Sequence, residues 1–177
     1  RFVANRCGGG GYCSILVGPA HISNNVMIND ENRSDADIQA FSEGSYGTLV
    51  SNNLLVDTIF SANTASGDIQ FTNNIFLGGS GINDEIGFVS INNNYMNEDN
   101  LSPEISIDGS GNIFEGVNLG FVNANEGDYR LTSSSGLIDA GTTDPDLAYI
   151  TDYDYTGTTA RVIGASIDIG PYEYDGE

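Results

Sequence analysis

The stretch Thr72-Asn73-Asn74-Ile75-Phe76 decides the fold, because similar stretches recur along the chain. The others are Ser23-Asn24-Asn25-Val26-Met27, Ser51-Asn52-Asn53-Leu54-Leu55, Asn92-Asn93-Asn94-Tyr95-Met96 and, more loosely, Ser110-Gly111-Asn112-Ile113-Phe114. Their anchoring asparagines, which are separated by 28, 21, 20 and 18 residues, are Asn25, Asn53, Asn74, Asn94 and Asn112. A period near 20 residues indicates a structural unit that is repeated along the chain.

Two further columns of the repeat support this register. The residues two positions after each anchor are large and apolar, namely Met27, Leu55, Phe76, Met96 and Phe114. The residues three positions before the first four anchors are also apolar, namely Ile22, Val50, Phe71 and Ile91, whereas the last repeat has Gly109. Phe2 fits the column two positions after an anchor. We therefore expect the first coil to be cut at Arg1 and to be completed by missing sequence or by a neighbouring molecule.

The composition of the repeat favours strands over helices. Short β-branched and aromatic runs are broken by asparagine and glycine, which is typical of strands separated by tight turns. Such a unit with a period near 20 predicts a solenoid, in which each coil buries its apolar column only by stacking on its neighbours. Asparagine tolerates the left-handed turn conformation, and its amide can bond to the amides above and below. The five anchoring asparagines are therefore predicted to form a structural ladder.

The C-terminal third of the chain carries a second set of motifs. They are Phe121-Val122-Asn123, Asp128-Tyr129-Arg130-Leu131, Leu137-Ile138-Asp139-Ala140-Gly141, Asp152-Tyr153-Asp154, Arg161 and Asp168-Ile169-Gly170-Pro171-Tyr172-Glu173-Tyr174. Their order resembles the C-terminal region of secreted bacterial β-helix proteins of the choice-of-anchor type, and the repeats resemble the pectate-lyase-like group of β-helices. The resemblance implies an all-β chain, with a right-handed parallel β-helix (solenoid) of about five to six coils over residues 1–116. It also implies an irregular C-terminal cap region over residues 117–177 that packs on the solenoid.

The chain is strongly acidic. It has 25 Asp and Glu residues against 5 basic residues, all of them Arg, so its formal net charge is −20. Such a surface repels nucleic-acid phosphates and anionic lipids, and the lysine that grips phosphate in P-loop enzymes is absent. No stretch approaches the roughly 20 apolar residues of a membrane span. The sequence therefore predicts no nucleic-acid partner and no direct insertion into a membrane.

Two cysteines bear on the compartment. Cys7 and Cys13 flank four consecutive glycines, which let the chain fold back, so the sequence favours a local disulfide. Two free thiols and a metal-binding pair are the alternatives, and the pair has no nearby histidine to complete a zinc site. A disulfide is typical of an oxidising compartment. Together with the resemblance, it predicts an extracellular or cell-surface protein.

The sequence offers no recognisable catalytic constellation. The lyases that the resemblance suggests need a base, often Lys or Arg, and a cation that neutralises the uronate carboxylate. This chain has no lysine, and we expect Arg130 and Arg161 to pair with Asp139 or Asp168. Glycosidases need paired carboxylates at a controlled separation, and the histidine-bearing strings of polygalacturonases are absent. His21, the single histidine, has no readable partner. No catalytic residue is predicted, and enzymatic activity is left open.

Calcium is the ligand for which the sequence offers candidates, because hard oxygen ligands crowd several turns. None of these turns matches an EF-hand or the glycine-rich nonapeptide repeat, and a solvated acidic turn is the alternative for each of them. The candidate ligands are Asp30, Glu31, Asp35, Asp37, Asp84, Glu85, Asp152 and Asp154.

These observations lead to a functional hypothesis and a rival. The hypothesis is a non-catalytic extracellular or cell-surface β-helix with a structural or adhesive role, as a subunit of a surface filament or larger assembly. Its expected partners are other copies of itself, in head-to-tail or lateral contact, or cell-surface polysaccharide. The rival is a polysaccharide lyase, a glycosidase or a carbohydrate-binding module of the β-helix class.

Overall fold

The structure is a computed structural model that describes residues 2–3, 6–7, 15–17, 21–28, 38–40, 47–62, 69–84, 89–101, 105, 107–144 and 150–176. These residues form β-strands, turns and two short 3-10 helices, Glu98–Asn100 and Ala124–Glu126, and they contain no α-helix. Within the described part of the chain, no helix is long and apolar enough to cross a bilayer. The predicted all-β character is confirmed for these residues.

Eighteen strands follow one another along the described residues. The first nine are β1 (Phe2–Val3), β2 (Arg6–Cys7), β3 (Ile15–Val17), β4 (His21–Ser23), β5 (Val26–Ile28), β6 (Ile38–Ala40), β7 (Thr48–Ser51), β8 (Leu54–Val56) and β9 (Ile59–Ala62). The others are β10 (Ile69–Thr72), β11 (Ile75–Leu77), β12 (Gly81–Asp84), β13 (Val89–Asn92), β14 (Tyr95–Met96), β15 (Ile107–Asp108), β16 (Ile113–Phe114), β17 (Phe121–Asn123) and β18 (Asp128–Leu131).

The first sixteen strands form three parallel sheets. Sheet A has the order β1-β4-β7-β10-β13-β15, sheet B the order β16-β14-β11-β8-β5-β2, and sheet C the order β12-β9-β6-β3. Each group of three consecutive strands up to β12 thus supplies one strand to each sheet. Strands β17 and β18 pair with each other in an antiparallel hairpin. The prediction of parallel sheets is confirmed at this level.

The register of the sheets aligns the sequence repeats residue by residue. Phe71 lies opposite Val50 and Ile91 in sheet A, and Ile75 lies opposite Leu54 and Tyr95 in sheet B. Residues at the same position of the repeat are therefore direct neighbours across adjacent strands.

One prediction about the register is wrong. Phe2 pairs with Ile22, and Arg6 pairs with Val26. Phe2 therefore belongs to the column three positions before an anchor, and the column two positions after it is taken by Cys7, which pairs with Met27. The error arose because both columns are large and apolar, so one phenylalanine fits either of them. The prediction that the first coil is cut at Arg1 was based on the position of Phe2, and the observed pairing of Phe2 removes that support.

Side chains from all three sheets form one apolar core. Its buried side chains are Ile22, Met27, Val50, Leu55, Phe60, Ile69, Phe71, Phe76, Ile82, Ile91 and Met96. The ring of Phe71 meets that of Phe60 edge-on, with a centroid distance of 4.8 Å. Both apolar columns of the repeat supply residues to this core, as the stacking of repeats requires.

Sheet B is apolar on its outer face as well. Val26, Leu54, Ile75 and Tyr95 lie next in sequence to an anchoring asparagine and point away from the core, because side chains alternate along a strand. They form a second buried cluster with residues of the C-terminal third, namely Tyr129, Leu131, Leu137 and Ile169. The C-terminal residues thus lie along the side of the repeats, against sheet B.

Candidate functional site

The anchoring asparagines form a continuous hydrogen-bonded row. The side-chain amide of Asn25 donates to Oδ1 of Asn53 at 2.8 Å, and that of Asn53 donates to Oδ1 of Asn74 at 2.9 Å. Asn74 donates in the same way to Asn94 at 2.9 Å, and Asn94 to Asn112 at 3.3 Å. Each Oδ1 also accepts the backbone N–H of the preceding asparagine in the row. The row satisfies polar groups that the stacked turns would otherwise bury without partners.

The asparagine before each anchor has a different task. Asn24, Asn52, Asn73 and Asn93 have φ between 51° and 58°, so they supply the left-handed residue of each turn. Three of their side chains bind the C-terminal residues: Asn24 Nδ2 donates to the carbonyl of Tyr153 at 2.8 Å, Asn73 Nδ2 to that of Thr142 at 2.9 Å, and Asn93 Nδ2 to that of Ala140 at 3.2 Å. The repeat predicts both tasks for the anchors, whereas the structure divides them between two adjacent asparagines.

The most unusual electrostatic feature is a buried group that we call the Arg161 cluster, made of Arg161, Asp154, Asp168 and Glu173. All four residues are buried, and Arg161 is only 1% exposed. Arg161 Nη1 lies 2.9 Å from Glu173 Oε1, and Nη2 donates to the carbonyl oxygens of Asp168 and Gly170. A single cation is thus surrounded by three carboxyl groups and held by carbonyls of the C-terminal residues.

The carboxyl groups of the cluster also hold the backbone. The two oxygens of Asp168 accept the N–H groups of Asp139 and Tyr174, both at 2.7 Å. Glu173 Oε1 accepts the N–H of Asp168 at 3.0 Å, and Asp154 Oδ2 accepts that of Glu173 at 3.3 Å. The cluster therefore joins residues 139, 154, 161 and 168–174 of the C-terminal third.

Burial changes the acidity of these groups. Burial raises the pKa of Glu173 to about 8, and the nearby negative charge of Asp168 adds to this effect while Arg161 opposes it. Burial also raises the pKa of Asp168, against the effect of its bonds from two backbone N–H groups. Because three carboxyl groups share one guanidinium, a proton on one of them lowers the buried negative charge. The arrangement suits a structural role, because the side chains of Arg161 and Glu173 are each only 1% exposed to solvent and are shielded from a substrate.

A surface groove of about 450 Å³ lies beside this cluster. Two members of the cluster help to line it, and the residues that line it include Asp154, Glu173, Tyr172, Tyr174, Thr156, Thr158 and Arg130. The side chain of Arg130 is 62% exposed and is held by the carboxylate of Asp128, to which Nε and Nη2 donate at 2.9 and 2.6 Å. The groove combines two tyrosines with several polar and charged residues, so it could accept a small polar ligand.

The expected partners of two arginines need correction. Arg130 pairs with Asp128, two residues before it. The side chain of Arg161 pairs with Glu173, and its hydrogen bond to Asp168 goes to the backbone carbonyl of that residue and not to its carboxylate. Asp139 instead accepts the backbone N–H groups of Ala165 and Ser166 at 2.8 and 2.9 Å. Charge alone could not select these pairs, because the chain has five acidic residues for each basic one.

Most of the predicted metal ligands lie outside the residues that the structure describes. Asp30, Glu31, Asp35, Asp37 and Glu85 lie outside them, as does the side chain of Asp84. Asp152 is exposed, whereas Asp154 belongs to the Arg161 cluster. Where the structure describes the chain, no three His, Cys, Asp or Glu side chains come together as a metal site. The predicted disulfide also lies outside the described residues, because Cys13 and the side chain of Cys7 are not among them.

Comparison with models of known protein families found none that matches the chain, and comparison with curated proteins found no match either. The resemblance to pectate-lyase-like and choice-of-anchor proteins therefore stays a prediction from the motifs.

Proposed function

We propose that the chain is part of a right-handed parallel β-helix with a structural or adhesive role at the cell surface or outside the cell. The winding is supported by the strand order, since β4, β5 and β6 pair with β7, β8 and β9 in three different parallel sheets. The chain adds one strand to each of three parallel sheets in turn, and it then adds the next strand to each sheet in the same order. This order corresponds to a helical path of the chain. Parallel crossovers are right-handed in about 98% of cases.

The observation that supports a non-catalytic role is that the buried polar groups are used in structural hydrogen bonds and ion pairs. The anchoring asparagines bond to each other, and the three carboxyl groups of the Arg161 cluster bind a cation or backbone N–H groups. A catalytic carboxyl group has to reach a substrate, whereas the Glu173 side chain is enclosed. Long stacked sheets of this kind provide a stiff surface whose turns can be varied without loss of the core.

The remaining parts of the proposal come from the sequence. The −20 charge favours cations and disfavours nucleic acids, so calcium in the acidic turns and assembly with further copies remain part of the proposal. Cell-surface polysaccharide is the other proposed partner.

A polysaccharide assay tests the proposal. The protein is incubated with a panel of neutral and acidic polysaccharides in the presence of Ca²⁺, and release of reducing ends and of unsaturated sugars is measured together with retention on the immobilised polymers. We expect no product from any of the polymers. Release of unsaturated sugars would contradict the proposal and would support a lyase.

The groove favours one second candidate, a carbohydrate-binding module. Tyrosine rings and hydroxyl groups complement the apolar faces and polar edges of a sugar ring. In the same assay, this candidate predicts retention without product. Retention should be lost in Thr158→Arg, which places a bulky side chain at the groove, and should be kept in Thr143→Arg, which changes an exposed residue elsewhere.

A further inference from the structure

The C-terminal residues cover an apolar surface that the repeats present. Leu54, Ile75 and Tyr95 are between 0% and 9% exposed, although they point outward from sheet B. They belong to one buried cluster with Leu137 and Ile169 of the C-terminal third. Residues 117–144 and 150–176 thus act as a clasp over sheet B, and we use the word clasp for these residues below.

The Arg161 cluster is connected directly to the point where the clasp meets the repeats. Arg161 Nη2 donates to the carbonyl of Gly170, and the N–H of the same glycine donates to the carbonyl of Asn73 at 2.8 Å. A Cβ on Gly170 would lie 2.4 Å from Cδ1 of Ile75, so its backbone packs closely on the outer face of sheet B. A change in the cluster therefore acts on the docking contact through one residue.

Glu173 is the member of the cluster that can change its charge without losing a hydrogen bond. Its Oε1 atom accepts the N–H of Asp168, whereas its buried Oε2 atom makes no well-formed hydrogen bond to the described residues, and the backbone N–H of Ile163 lies near the carboxyl group and favours its charged form. Both oxygens of Asp168 accept bonds from backbone N–H groups. A proton on Glu173 Oε2 therefore leaves every other contact of the cluster in place.

We propose that the clasp is a pH-dependent closure, which is held shut while Glu173 is protonated and opens when Glu173 loses its proton. The charged groups that act on the Glu173 carboxyl group are Arg161 and Asp168. Asp154 faces Arg161 and accepts the backbone N–H of Glu173, and Asp139 faces Asp168. When Glu173 is neutral, the carboxylates of the cluster are those of Asp154 and Asp168, and Arg161 balances one of these two charges. With Glu173 ionised, three carboxylates face one cation, and the added charge lies on a side chain that is only 1% exposed.

The acidity of Glu173 in the two states sets the pH range of this change. Its pKa is raised from an ordinary value of 4.5 to about 8, chiefly by burial. The closed state keeps its full stability below about pH 4.5, where Glu173 is protonated in both states, and loses stability progressively as the pH rises to about 8. Opening would expose the outer face of sheet B while the interior core stays folded.

Methyl NMR of the whole chain tests this proposal. Spectra are recorded from about pH 4 to about pH 9.5, with Ile75 and Ile169 as reporters of the covered face and Ile22 and Ile91 as reporters of the interior core. We expect the Ile75 and Ile169 methyl signals to change together, with a midpoint between about pH 4.5 and about pH 8, while the Ile22 and Ile91 signals stay unchanged. Binding of a hydrophobic dye should increase over the same range.

Two variants provide the comparison. Glu173→Gln keeps the size of the side chain and cannot ionise, so its clasp should stay closed over the whole range. Glu126→Gln removes an exposed carboxyl group and should behave as the unsubstituted chain. The proposal is overturned if the Ile75 and Ile169 signals do not change, if Glu173→Gln opens with the same midpoint, or if the interior signals change at the same pH.

A second measurement covers the case in which Glu173→Gln does not fold. The ¹³C shift of the Glu173 carboxyl carbon is followed in the unsubstituted chain over the same pH range. A titration that coincides with the change at Ile75 supports the proposal. A carboxyl titration that lies more than about two units away from that change overturns it.

Discussion

At the residue scale, two neighbouring asparagines with the same side chain do different work because the backbone turns between them. The first adopts a left-handed conformation, which aims its amide outward at the C-terminal residues, as in the contact between Asn73 and Thr142. The second is enclosed by the turns above and below it and bonds to the next anchor, as Asn74 does to Asn94. Glycine could replace the first but not the second, which agrees with Gly111 before Asn112 in the last repeat.

Asn74→Ala should be strongly destabilising. The Asn74 amide donates to the carbonyl of Val50 at 2.8 Å and to Asn94, and its Oδ1 accepts two bonds from Asn53. Alanine would leave several buried polar groups without partners, at a cost of roughly 1–3 kcal/mol for each. We expect the free energy of unfolding in urea to fall by about 3 kcal/mol or more.

The matched control for this prediction is Asn125→Ala, which changes an exposed asparagine in the turn before Gly127. Its free energy of unfolding should stay within about 0.5 kcal/mol of the unsubstituted value. Equal effects of the two substitutions would mean that the row of anchoring asparagines adds no stability.

At the element scale, the strands of sheet B are apolar on both faces, and this determines where the C-terminal residues lie. Gly170→Ala tests the contact between them, because the new Cβ would meet Ile75 at 2.4 Å and the residue has a φ of +104°. We expect the clasp to become sensitive to limited proteolysis while the repeats stay resistant, since the interior core does not include Gly170.

Gly157→Ala is the control for Gly170→Ala. Gly157 has a φ of +77°, so alanine adds a comparable backbone strain, but a Cβ there would meet no atom within 4 Å. If both variants are cleaved equally in the clasp, backbone strain explains the effect and close packing on Ile75 does not.

Sequence periodicity could predict some of these elements and not others. The columns around Asn53 and Asn74 recur at nearly constant spacing, so the sequence predicts the strands on either side of the turn. The apolar column that contains Leu54 and Ile75 was also present in the sequence, and it was the available signal for a second covered face. Sheet C was harder to predict, because the connections that lead to it differ in length between repeats.

The Arg161 cluster could not be read from the sequence, for a different reason. Its carboxyl groups come from positions 154, 168 and 173, and no local spacing relates them to Arg161. Arginine is also rarely buried, so nothing in the sequence marks Arg161 as the centre of a buried cluster. Only the packing of the C-terminal residues on sheet B brings these groups together.

At the scale of the whole molecule, the net charge of −20 opposes compaction, because carboxylates repel one another over the surface of the fold. The row of asparagines and the Arg161 cluster are buried, so dissolved salt screens them little. Salt should therefore act on the surface repulsion and stabilise the fold. We expect the melting temperature to rise as NaCl increases from about 0.02 M to about 1 M, with most of the rise below about 0.2 M, where the screening length falls fastest.

Choline chloride provides the control for the salt experiment, because its bulky cation screens charge but does not bind small oxygen sites. An equal rise in melting temperature with NaCl and with choline chloride attributes the effect to general screening of the −20 surface. A rise with NaCl alone would instead point to sodium bound at specific carboxylates. A melting temperature that is flat or that falls with both salts would contradict the prediction, and it would mean that the surface carboxylates are already balanced by ion pairs such as that of Arg130 with Asp128.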